Sequence, residues 1–287
     1  MTILIFGGKG WIGSQFVTEW NKCGGSVILS SNRADDTSNV EKELEELSVT
    51  NVVCMVGRTH GPGCNTIDWL EDGRDKVAIN VKDNLFAPVS LALLCRNKGI
   101  HFTYLGTGCI FSGYDQTYGE NDLPDFFGSG YSIVKGFTDR LMHQLNVLNL
   151  RIRMPIVAED NERDFVTKIC SYEKVIDRKN SMTVLPDFIP LFVKLIQDKV
   201  TGTINCVNPG SISHTEVLNL YKEIVDNSFT YKLMTLDEQD KMLKSERSNN
   251  VLQTDVVETF YRTYFHEELP TINESIRRML RNRIKLQ

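Results

Sequence analysis

The sequence predicts an α/β protein in which a doubly wound parallel sheet carries a smaller C-terminal lobe. Short apolar runs alternate with amphipathic helical stretches through the first 155 residues, a pattern typical of parallel strands joined by crossover helices. A glycine-rich turn follows the first apolar run, Thr2–Phe6, without a gap. The 287 residues are 41% hydrophobic and 24% charged, which is typical of a globular protein with one large domain or two.

Hydrophobic periodicity gives the order of the elements. The predicted strands are Thr2–Phe6, Ser26–Ser30, Asn51–Val56, His101–Leu105, Leu150–Met154, Met182–Leu185 and Ile204–Val207. The predicted helices are residues 12–23, 41–47, 75–98, about 131–147, 164–172 and 187–198, one after residue 213, and one at the C-terminus. Ser213 and Glu216 form a capping box, which is the signal for the helix that begins there.

Charge and cysteine usage exclude several classes of partner. The net charge of −5 gives no general attraction for phosphate backbones or anionic lipid, so we expect neither nucleic acid nor a membrane as a partner. The seven cysteines are odd in number and form no C-x-x-C pair, which predicts reduced thiols and no metal site. We see no signal peptide and no apolar stretch near the length of a membrane span, so we expect a cytoplasmic protein.

The turn after the first strand has the pattern of a dinucleotide-binding loop. The segment Gly8-Lys9-Gly10-Trp11-Ile12-Gly13 matches G-x-G-x-x-G, and Gly7, Gly10 and Gly13 also match G-x-x-G-x-x-G. Glycines there permit a tight turn and let backbone N–H groups approach a pyrophosphate at the helix N-terminus. The strand before and the amphipathic helix after are the context that the motif requires. We therefore predict a Rossmann-type sheet with a bound dinucleotide, although a merely structural turn is the alternative.

The end of the second strand favours NADPH over NADH. An NAD site wants an acidic residue there for the ribose 2′-OH, whereas this sequence has Asn32 and Arg33, and a guanidinium suits a 2′-phosphate. Asp35 and Asp36 follow closely and keep NADH open as a weaker alternative. We expect residues 1–155 to form the NADP-binding domain, with return segments around 182–207, and residues 156–287 to form mainly a substrate-binding lobe.

A Y-x-x-x-K pattern predicts the chemical centre. Tyr131 and Lys135 lie one turn apart on a helix face, where the ammonium would lower the pKa of the phenol. Thr107 follows the strand His101–Leu105, so its hydroxyl is expected at the carboxyl edge of the sheet beside the cofactor.

These motifs resemble the extended short-chain dehydrogenase/reductases over the first half of the chain. Further segments make the sequence similar, nearly end to end, to the bifunctional UDP-4-keto-6-deoxy-glucose 3,5-epimerase/4-reductases and their relatives, the dTDP-4-dehydrorhamnose reductases. These segments are Gly106–Phe111, Gly128–Ser132, Arg151–Ile156, Asp164–Ile169, Asn180–Leu185, Asn208–Gly210 and Arg247–Asn250. The resemblance implies NADPH-dependent conversion of UDP-4-keto-6-deoxy-glucose to UDP-β-L-rhamnose, and a homodimer formed through helices beside the active site. The loop Gly57–Cys64 departs from the expected pattern.

The resemblance also implies acid/base groups for epimerisation. Cys109, two residues after Thr107, and Lys168 match positions where related epimerases carry proton-transfer groups. The alternatives are a packed thiol and a surface lysine, and His60 is a further loop candidate. Arg247 and Asn250 are expected to bind the substrate diphosphate.

Two other functions stay open. One is a pure 4-reductase fed by a separate epimerase. The other is a non-catalytic regulatory subunit with a reductase-like fold, against which the complete set of Thr107, Tyr131 and Lys135 argues.

Overall fold

The computed structural model describes residues 1–114 and 116–286. Its strands are β1 Thr2–Phe6, β2 Ser26–Leu29, β3 Asn51–Cys54, β4 His101–Thr107, β5 Leu148–Ile152, β6 Pro155–Ile156, β7 Lys174–Val175, β8 Lys179–Asn180, β9 Thr183–Val184, β10 Gly202–Asn205, β11 Ile212–Ser213 and β12 Lys232–Leu233. Its α-helices are α1 Trp11–Lys22, α2 Thr37–Leu47, α3 Arg74–Val81, α4 Ala87–Asn97, α5 Gly130–Leu145, α6 Phe165–Cys170, α7 Leu185–Gln197, α8 His214–Ile224, α9 Leu236–Met242, α10 Asp255–Phe265 and α11 Ile272–Leu286.

The main sheet has six parallel strands in the order β10-β5-β4-β3-β1-β2. Helices cover both of its faces, because parallel strands buried on both sides need crossovers on both sides. On one face α1 and α7 pack with α10, through side chains such as Trp20 and Phe192. On the other face α2, α4 and α5 pack through side chains such as Leu44, Leu91 and Met142. The predicted doubly wound Rossmann-type fold is confirmed.

The remaining short strands and helices form a smaller lobe with its own apolar core. Three two-stranded sheets, β11 with β8, β12 with β7 and β6 with β9, lie in this part of the chain. Its core joins α6, α8 and α11 through side chains such as Val166, Leu218 and Ile276. The strand β10 pairs with β5, so the chain returns to the main sheet after β9.

Several boundaries differ from the predicted ones. The fifth strand is β5, Leu148–Ile152, because α5 ends at Leu145 and Asn146 adopts the left-handed conformation that starts the strand early. Arg153 and Met154 therefore lie beyond the strand, and Met154 has a positive φ of 41°. The predicted strand Met182–Leu185 is only Thr183–Val184, since Leu185 already begins α7.

The predicted helix over 75–98 is a continuous helical run, Arg74–Asn97, with a π-helical turn at Lys82–Phe86. By its 24 residues and a window of mean hydropathy 1.3, it is long and apolar enough to cross a membrane. Our expectation that no apolar stretch approaches such a span was therefore wrong. Apolar side chains of this helical run contribute to the core, where Leu91 and Cys95 pack against the sheet.

Candidate active site

A cavity of about 570 Å³ lies at the carboxyl edge of the main sheet, between the sheet and the C-terminal lobe. Eleven of the predicted site residues line it: Gly7, Gly10, Trp11, Ile12, Gly13, Thr107, Cys109, Tyr131, Lys135, Lys168 and Arg247. Five do not: Gly8, Lys9, Asn32, Arg33 and Asn250. Clefts of this size at the carboxyl edge of a parallel sheet are the usual place for small ligands.

The glycine-rich loop forms one wall of the cavity with bare backbone. Gly7 has a φ of 84°, and a Cβ atom there would lie 2.8 Å from the backbone of Met55. A Cβ atom on Gly13 would lie 2.2 Å from the carbonyl oxygen of Gly7. Helix α1 begins directly after its N-cap residue Gly10, which has no side chain to cap the first N–H groups. Free N–H groups at a helix N-terminus suit a pyrophosphate, so these residues fit a dinucleotide.

At the end of β2 the predicted cofactor-selecting residues are held by carboxylates. Arg33 is 62% exposed, donates from Nε to Asp35 over 2.8 Å, and lies 3.6 Å from a carboxylate oxygen of Asp83. The amide of Asn32 donates to Glu43 over 3.0 Å. The Asp36 side chain caps α2. The acidic groups near this strand end are therefore engaged with protein donors.

Thr107 and Tyr131 meet at the cavity floor. Thr107 is the last residue of β4, and its hydroxyl accepts a hydrogen bond of 3.1 Å from the backbone N–H of Cys109. Tyr131 lies in the first turn of α5, which Ser129 caps by accepting from the N–H of Ser132. The hydroxyl groups of Thr107 and Tyr131 thus come from β4 and α5, at the carboxyl edge of the main sheet.

The pKa of Tyr131 is raised, whereas we expected Lys135 to lower it. Burial raises the pKa of Tyr131 well above its usual value, the neighbouring Cys109 thiol raises it further, and the Thr107 hydroxyl opposes this rise. Burial also lowers the pKa of Lys135 to about 8. The reason lies in the direction of the ammonium, which donates to the hydroxyl of Tyr104 and lies 4.5 Å from the centre of that ring.

The acid/base candidates lie on two sides of the cavity. Cys109 is half-buried and follows Thr107, whereas Lys168 lies on α6 in the C-terminal lobe and donates to the backbone oxygen of Asn65 over 3.3 Å. Burial, with the nearby charge of Arg163, lowers the pKa of Lys168. His60 lines the same cavity, and its Nε2 accepts a hydrogen bond of 2.8 Å from Arg163. Burial and the Arg163 charge lower the pKa of His60, so this ring is neutral.

Arg247 and Asn250 have different positions. Arg247 lines the cavity and forms an ion pair of 2.5 Å with Asp68. Asn250 is fully buried behind the wall, and its amide donates to the carbonyl oxygens of Gly108 and Phe111 over 3.1 and 3.2 Å. The direct contact with substrate that we predicted for Asn250 therefore does not fit its position, because its donors are used to hold the loop after β4.

Comparison with known proteins gives the family. Residues 3–158 match the NAD dependent epimerase/dehydratase family over more than half of the chain. The chain belongs to this family. A bifunctional dTDP-4-dehydrorhamnose 3,5-epimerase/dTDP-4-dehydrorhamnose reductase from Arabidopsis thaliana is 36% identical over 282 residues, covering 95% of this chain and 90% of that protein.

Solved structures agree with this assignment. A UDP-rhamnose synthase from Acanthamoeba polyphaga mimivirus is 46% identical, with a TM-score of 0.93 over 98% of this chain and 99% of its own. A dTDP-4-dehydrorhamnose reductase from Bacillus anthracis, solved in complex with NADP, shares the fold at a TM-score of 0.78 and 17% identity over 97% of this chain and 96% of its own. The family resemblance predicted from the sequence is confirmed, and the chain is an enzyme of the epimerase/reductase type.

For this epimerase-family member the structure adds residues that the sequence reasoning missed. Arg153, Arg163 and Tyr172 also line the cavity, and Tyr104 lies under it as the partner of Lys135. For Arg153 the sequence does contain a signal, because a charged residue next to the buried strand β5 needs polar partners. Arg163 and Tyr172 are unremarkable in the sequence, because nothing local shows that α6 brings its neighbours to the cavity.

Proposed function

We propose that this chain is an NADPH-dependent 3,5-epimerase and 4-reductase that converts UDP-4-keto-6-deoxy-D-glucose to UDP-β-L-rhamnose. The observation that carries this proposal is one cavity lined by Thr107, Tyr131 and Lys135 together with Cys109 and Lys168. A 4-reductase needs only the first three. Two further proton-transfer groups, on different sides of the cavity, are what an epimerase requires in addition.

The glycine-rich loop would hold the pyrophosphate of the cofactor, and Arg33 would hold the 2′-phosphate. A nicotinamide cofactor supplies hydride to C4 when bound. NADPH is favoured because Arg33 projects a guanidinium that is 62% exposed at the end of β2. The guanidinium of Arg33 would then contact the 2′-phosphate in addition to the carboxylates of Asp35 and Asp83.

Reduction depends on protonation of O4. Tyr131 is buried with a raised pKa, so it is a neutral phenol at pH 7 and can donate a proton to the oxygen as negative charge develops there. The Thr107 hydroxyl lies beside it and can hydrogen-bond the same oxygen. Lys135 provides a buried positive charge next to the site, although its pKa of about 8 makes this charge sensitive to moderately alkaline pH.

Epimerisation uses the same carbonyl. Removal of a proton from C3 or C5 leaves an enolate whose charge lies on O4, where Thr107 and Tyr131 stabilise it by hydrogen bonds. Cys109, as a thiolate, would take the proton and become a thiol, while Lys168, as an ammonium, would return one from the other side. Inversion requires groups on two faces of the sugar ring, and these residues come from different elements, the loop after β4 and α6.

We also propose a homodimer. The helices α4 and α5 pack side by side, and each exposes large apolar side chains at helical spacing. On α5, Phe137 and Leu141 are 52% and 41% exposed. Phe86, just before α4, and Leu93, on α4, are 45% and 44% exposed. Exposed apolar side chains grouped on two neighbouring helices favour a protein interface there.

The deciding experiment is incubation with UDP-4-keto-6-deoxy-glucose and NADPH, followed by NMR identification of the sugar product. UDP-β-L-rhamnose supports the proposal. Product that retains the gluco configuration at C3 and C5 indicates a reductase without epimerase activity. If there is no turnover, a separate 3,5-epimerase is added: turnover that then appears indicates a pure 4-reductase, and continued lack of turnover favours a regulatory protein. The dTDP-linked substrate is run in parallel, because the Arabidopsis relative is named for it and the mimivirus relative for UDP-rhamnose.

A further inference from the structure

The cavity wall near Cys109 contains a buried arginine, Arg153, that has no carboxylate partner among the residues that the structure describes. Arg153 is 1% exposed and follows β5. With the described part of the chain its guanidinium makes five hydrogen bonds, all to neutral oxygen atoms. The acceptors are the carbonyl oxygens of Ser181 (3.3 Å), Gly108 (2.7 Å) and Ser248 (3.0 Å), the amide oxygen of Asn180 (2.6 Å) and the hydroxyl of Ser248 (3.5 Å).

The other two buried arginines each form an ion pair with a carboxylate. Arg151 is 1% exposed and pairs with Asp139 over 2.6 Å, and Arg283 is 5% exposed and pairs with Asp164 over 2.7 Å. Within residues 1–114 and 116–286, no carboxylate oxygen lies within 4.0 Å of the Arg153 guanidinium. Burying a charge without an opposite charge costs free energy of folding. A buried arginine without a carboxylate partner therefore indicates that its charge has a functional role.

The arginine is fitted closely to the turn that carries Cys109. A Cβ atom on Gly108 would lie 3.0 Å from Cγ and Cδ of Arg153, so the stem of the arginine passes directly against this glycine. The guanidinium then holds the carbonyl oxygen of Gly108, one residue before Cys109. The cation is thereby fixed at the residue that precedes Cys109, and Arg153 and Cys109 line the same cavity.

From this geometry we propose that Arg153 is a positioning residue that provides the counter-charge for the thiolate of Cys109, the form in which Cys109 removes a proton from the substrate. The inference rests on the proposed function of Cys109 as a base. In the step itself the thiolate takes a proton from C3 or C5 and becomes a thiol, and the electron pair of the broken C–H bond passes into the enolate. Arg153 remains protonated throughout.

Among the described residues, the other titratable groups that interact with Cys109 are Tyr131 and Lys135, both from α5. Tyr114 and His214 interact with the charge of Arg153 itself. Tyr131 is neutral at pH 7 because burial raises its pKa. Lys135 donates to Tyr104, and burial lowers its pKa to about 8, so its charge is lost as the pH rises. Burial lowers the pKa of Arg153 as well, yet a guanidinium stays charged through the neutral range. Arg153 is therefore the cation that persists beside the thiol.

The test measures the ionisation of Cys109 without substrate. Peptide-resolved alkylation by iodoacetamide is followed from pH 5 to 10 in the whole protein, with free cysteine and the half-buried Cys64 as references. In the unmodified protein we expect Cys109 to reach its half-maximal rate at least one pH unit below free cysteine, which ionises near ~8.5. A midpoint at or above that of free cysteine overturns the proposal, whatever the variants do.

Two substitutions separate charge from packing. Arg153→Gln and Arg153→Lys both lose the guanidinium fork, but only the second keeps a cation. We expect Arg153→Gln to raise the midpoint of Cys109 by about one to three pH units, since that is the usual effect of an opposite charge at close range. Arg153→Lys should stay near the unmodified protein. Equal midpoints in the two variants would mean that Arg153 only packs the turn, and would overturn the proposal.

A third variant and a second readout complete the design. Arg163→Gln removes a different cavity-lining cation and should leave the Cys109 midpoint unchanged, whereas a shift as large as that of Arg153→Gln would contradict a specific pairing. Deuterium exchange into the 4-keto sugar is then measured in the same variants. If the unmodified protein shows no exchange but the alkylation shifts appear as expected, the proposed function fails while the pairing of Arg153 with Cys109 stands.

Discussion

The ammonium of Lys135 donates a hydrogen bond to the hydroxyl of Tyr104, 31 residues earlier in the chain, and lies 4.5 Å above the centre of its ring. This contact places a positive charge inside the protein, 4% exposed, with a neutral acceptor. Burial of this charge lowers the pKa of Lys135 from 10.5 to about 8. The buried charge of Lys135 therefore lowers the free energy of unfolding, although the active site contains it.

That cost predicts a more stable protein when the lysine is removed. Lys135→Met should raise the free energy of unfolding at pH 7 by on the order of 2–3 kcal/mol, because a tenfold change in a proton-dissociation constant corresponds to ~1.4 kcal/mol. Reduction of the ketone should be lost in the same variant. Thermal unfolding measures the gain, and Lys194→Met, which removes an exposed lysine on α7, should show no comparable change.

The pH dependence of this gain has a definite sign. Below about pH 8, Lys135 carries its proton in the folded and unfolded states, so the unmodified protein has the full cost. Between about pH 8 and 10.5 the unfolded chain holds a proton that the folded protein has released, so the stability of the unmodified protein rises with pH. The difference from Lys135→Met should shrink over this window. A difference that stays constant or grows would contradict the buried-cation account.

Tyr131→Phe should abolish ketone reduction while cofactor binding survives. The phenol is the expected proton donor to O4, and general acid catalysis contributes roughly 10²–10⁴-fold to a rate. Stopped-flow absorbance measures NADPH oxidation, and cofactor fluorescence measures binding. Tyr264→Phe, which removes a hydroxyl on α10 that bonds Asp198, is the matched control and should keep its rate. Turnover within a few-fold of the unmodified enzyme would remove Tyr131 from the mechanism.

Arg33→Ala should raise the KM for NADPH by about tenfold to a hundredfold and the KM for NADH much less, because one charge-assisted pairing with the 2′-phosphate is worth roughly 1.5–3 kcal/mol. Initial-rate kinetics with the two cofactors give both values. The exposed arginine Arg96, on α4, serves as the control, and Arg96→Ala should change neither. Equal effects of Arg33→Ala on the two cofactors would show that Arg33 does not recognise the phosphate.

Phe137→Glu should convert the proposed dimer to a monomer. The substitution places a charge on the apolar surface formed by α4 and α5, where Phe137 is 52% exposed. Light scattering after size exclusion gives the mass directly. Leu233→Glu, at a position that is 62% exposed on β12 in the smaller lobe, is a control for the effect of one added acidic residue on solubility. A mass of about 33 kDa for the unmodified chain would exclude the dimer at once.

The particular residues show what a sequence can and cannot predict. Tyr131 and Lys135 were found because both lie on one helix, where spacing fixes their separation. The direction of the Lys135 ammonium was missed, since it depends on Tyr104 in another element. Asn250 was assigned to substrate from its motif, yet its amide holds the backbone after β4. Local periodicity predicts elements, whereas the use of a polar side chain depends on partners that are far away in the sequence.

The last prediction is that epimerisation and reduction can be uncoupled. In D₂O without NADPH, the unmodified enzyme should exchange deuterium into C3 and C5 of the 4-keto sugar, because enolate formation needs no hydride. Cys109→Ala and Lys168→Ala should each suppress this exchange while the affinity for NADPH stays unchanged. Tyr131→Phe should slow exchange less than reduction, since Thr107 still bonds O4. Mass spectrometry and NMR of the recovered sugar measure both positions.

Cys64→Ala and Lys179→Ala, which change a half-buried thiol and an exposed lysine outside the cavity lining, are the matched controls. Exchange at the unmodified rate in Cys109→Ala would make Cys109 a packing residue and direct the search for the base to His60, whose neutral ring faces the same cavity.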